Sequence, residues 1–217
     1  MDEDLGFSGN DKELVLAFLR FMADTPYQKI RVRDIAEACH LSRTAFYRSF
    51  EDVYDMMEQL EKRLLNRLSL YTCARRRGGS SPFESIENWF REIIELRPLI
   101  ASVIGPCGDP YFKERLSAQL RIELNEMMDD DRAPKDRLRP YYVAQSAASY
   151  LGLMSYVVSV PDERDLIDVR EMANIANVAR AAYYRCTEGA PAMSDERLFG
   201  RRGVAFDVPA KITAPPF

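Results

Sequence analysis

Apolar residues recur along this chain at helical spacing, not at the alternating spacing of strands. Leu14, Ala17, Phe18, Phe21 and Met22 make one stripe over residues 11–24. Val32, Ile35, Ala36 and Cys39 make a second, shorter one, and His40-Leu41 interrupts it. Ser42 then stands where an N-cap opens a third helix ending near Phe50. From Asp52 onward Val53, Met56, Met57, Leu60, Leu64, Leu68 and Tyr71 predict one long helix, closed by a basic linker, Arg75-Arg76-Arg77-Gly78-Gly79-Ser80.

The next start is a capping box with proline in the first turn, Ser81-Pro82-Phe83-Glu84, followed by Phe83, Ile86, Phe90, Ile93 and Ile94 on one face. Pro98 restarts the chain and Gly105-Pro106 stops it. Asp109-Pro110 opens a helix carrying Phe112, Leu116, Leu120, Leu124 and Met127. Two more helices are predicted over 141–160 and 165–185, and residues 187–217 read as a tail. The expected fold class is all-α. Residues 1–52 would form an N-terminal domain of three helices, and 53–186 a C-terminal helical domain.

Segment 141–160 is long enough to span a bilayer and has no formal charge. Its four tyrosines, four serines and Gln145 instead fit a helix buried by protein, so no membrane is expected. Composition agrees, with 47% hydrophobic and 29% charged residues. The acidic start, Met1-Asp2-Glu3-Asp4, is unlike an export signal, and the four dispersed cysteines fit a reducing compartment, so the expected location is cytoplasmic. No metal or cofactor motif is visible. The single histidine, His40, lies one or two residues from Cys39 and Ser42, too close along a turn for a catalytic triad, so no enzyme is expected.

The informative segment is 25–56. Two short amphipathic helices around a tight turn make a helix-turn-helix, whose second helix enters the major groove of double-stranded DNA. At about 100° per residue, Arg43, Thr44, Tyr47 and Arg48 share one arc of that helix, while Ala45, Phe46, Ser49 and Phe50 share the other. The polar arc can meet bases and phosphates, and the other can lock onto the first two helices. Lys29, Arg31, Arg33, Arg43 and Arg48 oppose only Asp34 and Glu37 across residues 25–50, whereas the whole chain carries −4. With Ser42, Thr44 and Tyr47, these basic residues are the candidate DNA contacts. The run Arg75–Arg77 is a weaker second patch, since basic helix ends commonly complement the helix dipole.

The order Val32-x-x-Ile35-Ala36-x-x-Cys39-x-Leu41-Ser42, then Phe46-Tyr47-x-x-Phe50, resembles the N-terminal domain of the TetR family of transcriptional regulators. The wording of 43–52 is most similar to the branch related to the dihydroxyacetone-kinase activator. Four positions depart from the family pattern: His40 replaces the glycine of the turn, Arg31 a capping threonine, Ala45 a frequent threonine and Val53 a phosphate-touching lysine. Val53 also sits among acidic Glu51, Asp52 and Asp55, which motivates an alternative: a co-regulator of the same fold that binds a protein partner.

The resemblance implies a homodimer joined through the last two long helices. The uncharged face of 141–160 and the alanines of 165–185 suit such an isologous interface. It also implies a small-molecule effector that releases a repressor from its operator. Candidate pocket residues are Tyr71, Trp89, Phe90, Phe112, Tyr142, Gln145 and Ser149, since aromatic walls with a few polar groups suit small amphipathic ligands.

Overall fold

The computed structural model describes residues 5–78, 81–187, 190–194, 198 and 199. It is all-helical among these residues, and they fall into two compact units. The first unit comprises residues up to Leu68 together with Glu95–Leu116, and the second Ser69–Ile94 with the chain from Ser117 onward.

In the first unit, α1 (Gly9–Phe21), α2 (Val32–Ala38) and α3 (Arg43–Phe46) pack on one another. A 3-10 turn, Tyr27–Lys29, leads into α2 and packs on α4 (Val53–Arg67). The apolar stripes become the core: Leu14, Phe18, Ile35, Phe46, Met56, Leu60 and Leu64 are fully buried. Each such side chain contributes about 1.5–3 kcal/mol over its exposed state. The unit is completed by α7 (Arg97–Ile104) and the beginning of α8 (Phe112–Asp130).

The second unit contains α5 (Leu70–Arg77), α6 (Pro82–Glu95, all but its last residue), most of α8, α9 (Arg139–Ser159), α10 (Val169–Ala176) and α11 (Val178–Cys186). The capping box at α6 forms as the residue types require. Ser81 Oγ accepts from the Glu84 N–H at 3.2 Å, and the Glu84 carboxylate accepts from the Ser81 N–H at 3.1 Å.

Two helices read as continuous from periodicity are broken. The stripe from Val53 to Tyr71 divides at Leu68–Ser69, where Ser69 Oγ caps α5 and the Glu123 carboxylate takes the Leu70 N–H at 2.8 Å. The stripe over 165–185 divides at Asn177, between α10 and α11. Asn177 is fully buried, and its amide donates to the Leu198 carbonyl. Leu198 and Phe199 are also buried, so this part of the predicted tail belongs to the core of the second unit. Gly79 and Ser80 of the predicted linker, and most of the tail, lie outside the described residues. No helix among the described residues is long and apolar enough to cross a membrane.

Candidate nucleic-acid interface

The geometry of the helix-turn-helix is set by how α2 stops. His40 adopts φ +56°, the left-handed region that favours glycine. Its N–H donates to the Glu37 carbonyl at 3.1 Å, and the Leu41 N–H reaches the Ala36 carbonyl at 2.9 Å. These two bonds are a Schellman termination, which reverses the chain after α2 without glycine. The same pattern recurs in the second unit at Arg132, φ +57°, whose N–H reaches Asp129 while Ala133 reaches Met128.

Ser42 then starts α3, its Oγ accepting from the Ala45 N–H at 3.2 Å. α3 is a single turn, continued by hydrogen-bonded turns to Phe50. Phe46 and Phe50 are buried with ring centroids 5.5 Å apart. Ser42, Arg43, Thr44, Tyr47 and Arg48 are exposed, and the Tyr47 ring rests edge-on against Phe46. Lys29 is exposed on the 3-10 turn. Arg31 and Arg33 are exposed too, but Arg31 lies 3.4 Å from Asp34, and Arg33 lies 3.4 Å from Asp34 and 3.6 Å from Glu37. Lys29, Arg43 and Arg48 form no ion pair with any described residue.

Sequence reasoning missed the anchors that hold this assembly. The Cys39 thiol donates to the Glu13 carbonyl, tying the end of α2 to α1. Ser49 Oγ donates to Asp11 at 2.6 Å, tying the turn after α3 to the same helix. Gln59 on α4 donates to the Ser49 carbonyl at 3.1 Å. Asp52 caps α4 by accepting from the Tyr54 and Asp55 N–H groups, and Asp55 accepts from the Glu51 N–H. The acidic residues around the buried Val53 therefore hold the start of α4. Arg63 donates to the Leu5 carbonyl and covers the Phe7 ring at 3.9 Å.

The seven candidate ligand residues divide. Phe112 is buried in the first unit, and the others belong to the second. Trp89 and Phe90 are fully buried and form an aromatic cluster with Tyr150, with centroids 5.1–6.3 Å apart. Tyr142 meets Tyr183 at 5.1 Å, while Ser149 is half-buried and Gln145 exposed on the same helix, α9. Tyr71 borders a hollow of about 180 Å³ lined also by Leu70, Ser81, Pro82, Ser85, Met127 and Asp130, none of them another candidate. Partial burial, with Glu126 and Asp130 nearby, pushes the Tyr71 phenol up to about 12.

The second unit also holds buried charge. Glu92 is fully buried and accepts from Arg77 Nε at 3.0 Å, with Arg76 Nε at 3.7 Å. Two arginines of the basic run are thus committed to a carboxylate of their own chain. Arg180 reaches Asp131 at 2.5 Å, and the Tyr184 hydroxyl donates to the same carboxylate at 2.8 Å. Arg180 Nε and Nη1, Asn174 Oδ1 and Asn177 Oδ1 are buried without a hydrogen-bond partner among the described residues. Positions 174, 177 and 180 follow one another at three-residue spacing along α10 and α11.

No protein-family model matches the chain, and no curated protein matches it by sequence. Solved structures do. One is the dihydroxyacetone kinase operon activator DhaS, at TM-score 0.55 and 16% identity, with 79% of this chain and 94% of that one covered. The likeness is one of fold. It extends over most of both chains and concerns their helical architecture.

Proposed function

We propose that the chain is a dimeric helix-turn-helix transcriptional regulator that binds double-stranded DNA as a repressor and is released by a small-molecule ligand. The observation that carries the reading is the division of α3 and its flanking turns. Phe46 and Phe50 are spent on the core, while Arg43, Thr44, Tyr47 and Arg48 face solvent. Arg43 and Thr44 lead the helix, where side chains reach base edges; Lys29, Arg48 and Tyr47 suit phosphates. Arg31 and Arg33 add a smaller attraction, because Asp34 and Glu37 already share their charge. Likeness in fold to a protein named as an operon activator supports regulation, and repression is the reading that needs DNA occupancy alone.

Dimerisation through α9 and the α10–α11 pair is supported by the uncharged outer face of α9 and by exposed apolar residues on the other two helices. Tyr141, Gln145, Gly152 and Tyr156 are exposed on α9, and Ile175 and Val178 on α10 and α11. The alanines expected at that interface have another use. Ala173, Ala176 and Ala179 are buried within their own chain, so close packing there joins helices of one protomer. An effector site is supported by the unmatched polar atoms of Asn174, Asn177 and Arg180, which a polar ligand or ordered water would satisfy.

The alternative, a co-regulator that acts by binding a protein partner, is favoured by Val53, which is buried and supplies no cation at the start of α4. Selection of genomic fragments with the purified protein separates the two. The regulator enriches a discrete operator whose binding weakens steeply with salt, and a reporter under that operator rises when the protein is deleted. A co-regulator enriches none, and a reporter that falls would make the protein an activator.

A further inference from the structure

The stripe of α4 contains one residue that does not belong to an apolar face. Glu61 lies between Leu60 and Leu64 in the buried register and is only 6% exposed. Its Oε2 meets Arg115 Nη2 at 2.5 Å, and the same Nη2 also meets the Asp109 carboxylate. Its Oε1 is buried without a hydrogen-bond partner among the described residues. One guanidinium therefore faces two carboxylates, both almost fully withdrawn from water.

Asp109 stands in a tight turn, 105–111, between α7 and α8. Its N–H donates to the Val103 carbonyl at 2.9 Å, and its Oδ1 accepts from the Tyr111 N–H at 3.0 Å. Gly108 is required there, since a Cβ would stand 2.0 Å from the Val103 oxygen. The turn also holds the entrance of the helix-turn-helix: the Cys107 carbonyl accepts from the Tyr27 N–H at 2.9 Å, and the Tyr27 ring packs edge-on against Tyr54 of α4. All of these groups belong to the first unit.

We propose that Glu61, Asp109 and Arg115 form a proton-operated latch that fixes the 105–111 turn on α4 and, through Tyr27, the entrance of the helix-turn-helix. Closed, the latch has a protonated Glu61 that donates to Asp109, leaving one carboxylate for one guanidinium. Open, both carboxylates are ionised and repel each other across Arg115. Burial costs Asp109 as well, yet hydrogen bonds from Arg115 and the Tyr111 N–H hold its carboxyl below the usual range, so Glu61 takes the proton. Burial first, and Asp109 beside it, push Glu61 up to about 7 against the opposing pull of Arg115. Tyr27 of the 3-10 turn also faces the cluster, and burial, Asp109, Glu61 and the neighbouring Tyr54 raise its phenol. A carboxyl raised in the closed state favours that state at low pH. The preference declines as pH climbs from the ordinary carboxylate value and is gone above about 7.

The latch itself can be read without DNA. Carbon-detected NMR of the full chain follows the Glu61 carboxyl, and hydrogen exchange follows protection of the Tyr27 amide between pH 5 and 8. Glu61 should titrate near 7. Protection, corrected for intrinsic exchange, should fall by up to about tenfold per pH unit below that midpoint and level off above it. Glu61→Gln should abolish the pH dependence, and Asp109→Asn should move the Glu61 midpoint toward the ordinary value of about 4.3. An ordinary Glu61 midpoint in the wild type, or Tyr27 protection that keeps its pH dependence in Glu61→Gln, overturns the proposal. Its effect on DNA rests on the function proposed above: operator affinity should be higher at pH 6 than at pH 8, with the part due to the latch absent in Glu61→Gln. A latch that titrates in a protein binding no DNA would overturn that function and leave the latch standing.

Discussion

The helix-turn-helix of the first unit and the interior of the second treat charge in opposite ways. On the helix-turn-helix of the first, Lys29, Arg43 and Arg48 are exposed and form no ion pair with a described residue. In the second, arginines turn inward: Arg77 meets the fully buried Glu92, and Arg180, 4% exposed, meets Asp131. An exposed cation contributes little to folding and stays available to a polyanion. A buried pair has already met its partner, and its cost or benefit appears in stability. Basic residues that look equivalent in the sequence thus have different work. Arg75-Arg76-Arg77 is the denser run, yet two of its members answer a carboxylate, while the scattered cations of 29–48 face outward.

Substitutions can separate the two kinds. The largest effect is expected from Asp131→Ala, which leaves Arg180 buried and unpaired; denaturant unfolding should show a loss of about 3–5 kcal/mol, and a loss within the ordinary surface range would break the comparison. Next comes Gly152→Arg, on the uncharged face of α9 where an added Cβ meets nothing. It should leave the protomer folded but lower the sedimenting mass from a dimer to 24.9 kDa, whereas an unchanged mass would place the interface elsewhere. Arg43→Ala should cost about 1–3 kcal/mol in operator binding, relax preference at particular base pairs and leave unfolding unchanged. The smallest effect should come from His40→Gly, which relieves a left-handed backbone and should add about 1 kcal/mol to stability. A loss there would mean that the His40 side chain, not its backbone, holds the turn.

Much of the first unit is legible in the sequence because its signals are local. Stripes at helical spacing, Ser42 as a cap and the switch from polar to aromatic positions along 43–50 all lie within a few residues of one another. The helix breaks are harder to read. Leu68 and Leu70 are both buried, so apolar periodicity runs through the break at Ser69 and conceals it. Asn177 conceals the second break in the same way, because the residue that explains its burial, Leu198, comes 21 positions later. The latch is non-local too, with Arg115 lying 54 positions after Glu61. Its one local sign is a glutamate inside an apolar register. The ligand candidates rest on residue type and on the helix that carries each, and the fold distributes them between two units and several surroundings.

The exposed residues of α3 and of the turn after it are assigned to reading DNA. The most direct test measures binding of the selected operator and of unrelated DNA across a salt series, for wild type, Lys29→Ala, Arg48→Ala and the Arg43→Ala/Tyr47→Ala double variant. Affinity should fall steeply with salt, and each of the two single variants should make the log–log slope shallower by about 1 on both DNAs alike. The double variant should lose its preference for the operator. Operator binding by the double variant as tight and as selective as that of the wild type would overturn the assignment.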